Sequence, residues 1–220
     1  WVAIAKRSRV MYYNPLTVSA DEIENLAYED LADPKWMGRI AIRSSGNMYN
    51  QSLVASLISN NGVSKTEKWA HRFVGNFARK PEGNDRAQIM AVANGEADIA
   101  IANSYYIGLM LSGKKGDEQR AAARKVNLHF PSQAGRGAHI NVSGAGLMKN
   151  SPNKANAVKF IEFLLSDKAQ EHIVNNTYEY PLSANVAPSD LIAQLGTGFK
   201  EDQTSVADYG KFNPDAVKLM

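Results

Sequence analysis

The sequence predicts an α/β fold with a largely parallel sheet, and three observations carry that expectation. Strand-like runs recur between helical ones along the chain. The helical runs have recognisable start and stop signals. With 44% hydrophobic and 21% charged residues over 220 positions, the chain has enough apolar side chain to build a core without crosslinks.

Taken in order, Ser19 and Glu22 are spaced as a capping box, and Ile23, Leu26, Ala27 and Leu31 behind them predict an amphipathic helix reaching Ala32, stopped by Asp33-Pro34. Residues 39–43 alternate polar and apolar as a strand does, and the polar turn at 44–47 opens a helix carrying Leu53, Ala55, Leu57 and Ile58. A second capping-box spacing, Ser64 with Glu67, precedes Trp69, Phe73 and Phe77, an aromatic stripe that predicts a core-facing helix closed by Pro81. Residues 85–94 read as a helix with Gly95 just past its end, 97–102 as a buried strand, and a further helix starts near Ser104. A charged helix at 117–125, a strand at 126–130 and a glycine-rich loop at 131–138 follow. Residues 153–165 predict an amphipathic helix with Val158, Ile161, Phe163, Leu164 and Leu165 on its apolar face, continued after an Asp167 cap through Ile173. Residues 9–14 and 139–148 read as extended crossings between compact parts, with a boundary near residue 135.

Several classes of chemistry drop out. With no cysteine there is no thiolate zinc site, catalytic thiol or iron–sulfur cluster. The four histidines, at 71, 129, 139 and 172, fall in no zinc or metalloprotease spacing. There is no Walker A pattern and no G-x-S-x-G, and Gly144-Ala145-Gly146 lacks the last glycine of a dinucleotide fingerprint. A net charge of +3 with interspersed signs argues against a nucleic-acid partner, although Lys6-Arg7-Ser8-Arg9 suits a small anion. No apolar stretch approaches the ~20 residues that span a bilayer, and the chain opens at Trp1 without a signal-like leader.

What stands out is tyrosine. Tyr105-Tyr106 directly follows a buried strand and falls on the first turn of a helix, where neighbouring side chains lie about 100° apart and converge on one point. Ligands of open α/β sheets gather at such strand ends, beside the free amides of helix N-termini. Tyr49 occupies an equivalent place after the strand at 39–43. Phenolate is a hard oxygen donor, and three phenolates cancel the charge of one ferric ion. Ordinary amphipathic packing at a helix start is the other reading of the same residues. Tyr12-Tyr13, in an extended stretch, has diverging rings and reads as strand packing, and Tyr178 and Tyr180 as packing near a crossing.

Residues 29–36 (Glu-Asp-Leu-Ala-Asp-Pro-Lys-Trp), Arg43-Ser44 through Tyr49-Asn50-Gln51-Ser52-Leu53, Asn76 through Pro81 with Gly83-Asn84-Asp85-Arg86-Ala87-Gln88, the twin Tyr105-Tyr106 and Tyr178-Glu179-Tyr180-Pro181 together resemble the periplasmic ferric-ion-binding proteins of bacterial iron ABC importers. The resemblance runs across the whole chain and is greatest to the branch with an added tyrosine at the position of Tyr49. It implies a periplasmic binding protein type II-like fold, two lobes joined by crossing strands, with Tyr49, Tyr105 and Tyr106 as ligands of Fe3+. It also implies a synergistic anion of the carbonate or bicarbonate type, with Ser45, Asn84 and Asn103 at anion-contacting places and Arg7 and Arg9 balancing its charge. The implied partner is an ABC permease of the inner membrane, the compartment periplasmic or extracytoplasmic, with or without a lipid anchor, the state monomeric, and the protein a binder rather than an enzyme.

The resemblance places Trp1 well inside the family's mature chain, so the N-terminal part of the first lobe is expected to be absent. Residues 1–14 are then the first crossing, 15–135 a complete C-terminal lobe carrying the tyrosines, and 136–220 the return crossing with the C-terminal part of the N-terminal lobe. The alternative keeps the fold and changes the cargo to an organic or anionic solute such as a polyamine, thiamine or phosphonate. A tyrosine general acid would need a partner base, and no His, Asp or Glu in the sequence is placed for it.

Overall fold

In the computed structural model, which describes residues 1–220, the longest strand is β1 (Val2–Tyr13), and it belongs to two sheets. Its first part pairs antiparallel with β5 (Ile140–Ala145), in a register running from Val2 opposite Ala145 to Ser8 opposite Ile140. Its last five residues pair antiparallel with β3 (Ile99–Asn103), Arg9 opposite Asn103 and Tyr13 opposite Ile99. On its other side Met11–Tyr13 meet β4 (Asn127–His129). β2 (Ile40–Ala41) completes the main sheet, in the order β2-β3-β1-β4.

The expected largely parallel sheet is therefore corrected: only β2 and β3 run parallel, and every pairing of β1 is antiparallel. A strand that traverses the sheet centre on its way between two bodies runs against the strands that end at the site. Because successive strand residues point to opposite faces, Ile40, Met11, Ile99 and Ile101 enter one core and Ala41, Val10, Tyr12, Ala100 and Ala102 the other.

The first core is covered by α2 (Met48–Asn61) and α3 (Val63–Gly75), with Leu53, Leu57, Trp69 and Phe73 inward. The aromatic stripe packs as expected: Trp69 stacks on Phe73 at 4.7 Å between centroids, and Phe77 meets Phe73 edge-on at 4.9 Å. The second core lies under α4 (Asp85–Ala93), α5 (Tyr105–Leu111) and α6 (Asp117–Ala123), with Ile89, Val92, Ile107 and Met110 inside. Alanines on that face of β3 let these helices approach closely.

Local expectations fail where side chains compete for the backbone. The Ser19–Glu22 capping box forms, but its helix α1 is only Ala20–Ile23. Asp30 accepts the Ala27 amide at 2.8 Å, and a 3-10 turn, Glu29–Ala32, follows instead of a continued helix. Ser64 caps nothing: α3 starts at Val63 straight after Gly62, whose φ of +78° suits glycine. That helix ends at Asn76, which donates to the carbonyls of Leu31 and Asp33 at 2.8 Å each, well before Pro81.

α7 (Lys154–Leu164) forms but buries no residue, and Phe160 and Phe163 are 60% and 51% exposed. α8 (Asp167–Thr177) is capped by Ser166, not Asp167. Past residue 135, the last part of the chain folds back on the main body. Ile192 of α9 (Asp190–Ala193) joins the second core, and Tyr209 and Ala216 of α10 (Val206–Leu219) pack with α2 in the first. Outside the main sheet, the first half of β1 is accompanied by β5 and α8, with α7 packed on α8, and Lys6 bridges from it to Tyr180.

Candidate metal centre

Two strand-to-helix turns build the site. In the first, Asn47 caps α2 by accepting the Tyr49 amide at 2.9 Å, so Tyr49 leaves from the first turn of the helix. In the second, α5 starts at Tyr105 with no side-chain cap, and its entry is gripped by β1 instead. The Ser104 amide donates to the Ser8 carbonyl at 2.9 Å, and the Tyr12 hydroxyl reaches the carbonyls of Asn103 and Ser104 at 3.0 and 3.1 Å. Tyr12 is thus a fully buried packing residue, as its extended setting suggested.

The structure brings Tyr49, Tyr105 and Tyr106 together, all half-buried. The Tyr105 and Tyr106 rings lie 4.2 Å apart at 30°. The Tyr105 phenol is held well above its usual range by burial, with the nearby Tyr106 and Tyr49 phenols contributing. Burial likewise raises Tyr106, with the Asp85 carboxylate contributing. At neutral pH these phenols keep their protons until a strongly charged cation displaces them. No group of three His, Cys, Asp or Glu suited to a metal exists elsewhere in the chain.

One side of the cluster is cationic. The guanidinium carbons of Arg7, Arg9 and Arg43 stand 5.6, 5.9 and 5.6 Å from the centre of the Tyr49 ring. Arg7 donates to Ser143 at 2.5 Å and to Glu179 at 3.0 Å, a neutral pair. Arg9 is wholly buried and donates to Asp85 and Asn50, each at 2.5 Å, while Arg43 reaches the other Asp85 oxygen at 3.2 Å. Two guanidiniums on one carboxylate leave one positive charge unbalanced beside the phenols.

Of the other anion candidates, Asn103 lies in the same cluster: its Oδ1 accepts from Arg9 at 3.2 Å and its buried Nδ2 has no partner. Asn84 is exposed, and its oxygen caps α4 by accepting the Arg86 and Ala87 amides. Ser45 is exposed in the turn ahead of Asn47. Sequence reasoning passed over Arg43 and Asp85, whose partners are far away in the chain. The one available signal was an arginine immediately before a strand-to-helix turn.

A cavity of about 320 Å³ opens beside the cluster, lined by Arg7, Tyr49, Tyr105, Ser143, Asn176 and Glu179 among others. Thr177 and Glu179 of its lining flank Tyr178, which has a φ of +62° and packs against Gly108, where a Cβ would come within 2.8 Å of the Tyr178 Cβ. A larger cavity of about 360 Å³ between α2 and α3, walled by Trp69, Phe73, Phe77 and Leu219, is mainly apolar and offers no donor set for a cation.

A strand shared between two sheets, an antiparallel return beside it, and polar groups gathered at strand-to-helix turns over a cleft together define a two-lobed solute-binding architecture. The chain belongs to the family of bacterial extracellular solute-binding proteins, whose model matches residues 1–195. It is 50% identical over 220 residues to iron uptake protein A1 of Synechocystis, covering all of this chain and 60% of that protein. It is 33% identical over 186 residues to the major ferric iron-binding protein of Neisseria meningitidis, covering 84% of this chain and 54% of that one. Among solved structures, the Trichodesmium protein IdiA (FutA), in complex with iron and citrate ligands, superposes with a TM-score of 0.95 at 51% identity, covering 100% of this chain and 68% of that one. The ferric binding protein from Campylobacter jejuni superposes at 0.93 with 38% identity, covering 100% and 68%. The chain thus spans about three fifths of the length of the curated relatives it matches.

Proposed function

We propose that this chain captures ferric iron through the phenolates of Tyr49, Tyr105 and Tyr106, beside a carbonate-type anion, as part of an extracytoplasmic protein that delivers iron to an ABC importer. The observation that carries this reading is the convergence of three phenols from two separate turns: the Tyr105 and Tyr106 rings lie 4.2 Å apart, and Tyr49 and Tyr105 line the same cavity. Three phenolates neutralise Fe3+, so the complex leaves the surplus charge of Arg9, Arg43 and Asp85 to be balanced. A small anion of single charge, such as bicarbonate, balances it. The names of the relatives, iron uptake and ferric iron-binding proteins, agree with this cargo.

Residues 15–135, with the chain end that packs back into their cores, act as the ligand-bearing lobe, and β1 and β5 as the crossings about which a second lobe closes. The protein acts as a monomer and is a binder, not an enzyme. No helix is long and apolar enough to cross a membrane. The surplus charge would also serve an organic anion, and spectroscopy separates the two cargoes.

The test is a visible absorption titration of iron-free protein with a weakly chelated ferric salt, with and without bicarbonate, alongside Tyr49→Phe and Tyr105→Phe. A broad band saturating at one iron and weakened in each variant is expected, with tighter binding when bicarbonate is present. Folded protein that develops no such band rules out phenolate–iron ligation in this chain.

A further inference from the structure

The two turns that carry the phenols come from different parts of the chain, and the sheet does not hold them together. β2 and β3 pair only through Ile40 with Ile99 and Ala41 with Ala100, so the ladder has ended before either turn begins. Beyond it, the joint between the turns is made of side chains centred on one buried carboxylate. Asp85, wholly buried at the first position of α4, accepts the Asn103 amide at 2.8 Å and Arg9 at 2.5 Å on one oxygen, and Arg43 at 3.2 Å on the other. Arg9 passes the connection on to Asn50, which follows Tyr49 on α2. The Asn50 amide group donates to the carbonyls of Arg43 and Ser44 at 2.8 and 3.2 Å, closing the Tyr49 turn.

We propose that Asp85 is the positioning residue of the metal site: by holding Asn103 on one side and Arg43 and the Arg9–Asn50 pair on the other, it sets the spacing between Tyr49 and the Tyr105-Tyr106 pair. This rests on the ferric-iron reading above. Capping does not explain the residue, because Asn84 already accepts the free amides of Arg86 and Ala87 at the start of α4. Core packing does not explain it either, since an apolar side chain of similar volume would avoid burying a charge, whereas a carboxylate removed alone strands two guanidiniums. A buried carboxylate with strong donors on both oxygens has a fixed orientation, which makes it a rigid spacer between the elements it contacts.

The experiment compares wild type, Asp85→Asn, Asp85→Glu and Ile89→Ala in the full chain. Ile89 is a fully buried core residue on the same helix that takes no part in the hydrogen bonds around Asp85, so its truncation reports lost packing under α4 rather than a lost polar joint. Thermal unfolding of the iron-free proteins, the position and intensity of the visible iron band, and ferric affinity by citrate competition are measured. Asp85→Asn is expected to lower ferric affinity about 10- to 100-fold, the range for residues that orient metal ligands, and to shift or weaken the band. Asp85→Glu is expected to recover part of both, and Ile89→Ala to lower the melting temperature with the band unchanged.

Crystal structures of the iron-free proteins give a readout that needs no metal: the phenol oxygens of Tyr49 and Tyr105 should move apart in Asp85→Asn. Should that variant not fold, Arg43→Gln, which frees one carboxylate oxygen only, is measured in its place and should alter the band. An unchanged band and affinity in folded Asp85→Asn, or changes no larger than those of Ile89→Ala, overturn the proposal. A wild type without a visible band fails the iron reading instead, and the spacing of the phenol oxygens then still decides the role of Asp85.

Discussion

Each phenol that ligates iron must give up a proton, and Tyr105 and Tyr106 start from values raised by burial. Affinity should therefore climb with pH, by up to about tenfold per pH unit for each proton released, through the neutral range. Citrate competition from pH 6 to 8 measures this, and a flat profile would exclude phenolate ligation. His139 makes a second prediction. Fully buried beside Ser52, with Nδ1 unpartnered, it is pushed down to about 3 by burial and by Arg9, Arg136 and Arg7. Its folded value lies below the ordinary ~6.5, so the unfolded chain binds the extra proton first. The stabilisation is complete above pH ~6.5 and is lost as the pH falls toward 3, at most on the order of 5 kcal/mol. Chemical denaturation across that window should show the loss, and His139→Gln should flatten it. Residues whose role depends on near neighbours, such as Ser19 with Glu22 or the adjacent Tyr105 and Tyr106, were legible in the sequence. Asp85 and Arg9, 76 positions apart, were not, because no local pattern records so distant a partner.

At the level of elements, helices with their own caps and stripes were readable, and α2, α4 and α8 lie close to their expected places. The full length of β1 was not. From Arg7 to Tyr12 every residue is buried, so the alternation that marks a half-exposed strand is missing. The apolar face of α7 was legible and its exposure was not, since periodicity reports a helix face and not what covers it. One contact between elements is especially tight. Gly108 on α5 leaves room for Tyr178, which closes α8 in a left-handed conformation and leads into Glu179, the partner of Arg7. Gly108→Ala should cost about 1–3 kcal/mol through overpacking. It should also weaken iron binding if the backbone at 178–179 moves, and paired melting and titration measurements separate the two effects.

Over the whole molecule, the return of the chain end to the main body was the feature the sequence concealed. α10 is amphipathic, but nothing local says that its Tyr209 and Ala216 belong beside α2, the helix that bears Tyr49. Gly137 helps the chain make that return: with φ at +97°, a Cβ there would lie 2.5 Å from the Lys200 carbonyl oxygen, and the Ala138 amide donates to that carbonyl at 2.9 Å. Tyr209→Ala should therefore destabilise the iron-free protein by about 3 kcal/mol, readable by urea unfolding, and leave the position of the visible iron band unchanged. A shifted band would mean that α10 positions Tyr49 as well as stabilising the body around it.

The shared strand also has a consequence for biosynthesis. Residues 2–13 are made ahead of every strand they pair with, whose partners run from Ile99 to Ala145. At typical elongation rates they wait on the order of ten seconds. The main sheet is completed once β4 is made and the second sheet only after β5, each through long-range docking, the kind of contact that slows folding most. The first half of the long strand therefore stays without a partner in this chain until residue 145 is made, a window in which its apolar face is open to other binders.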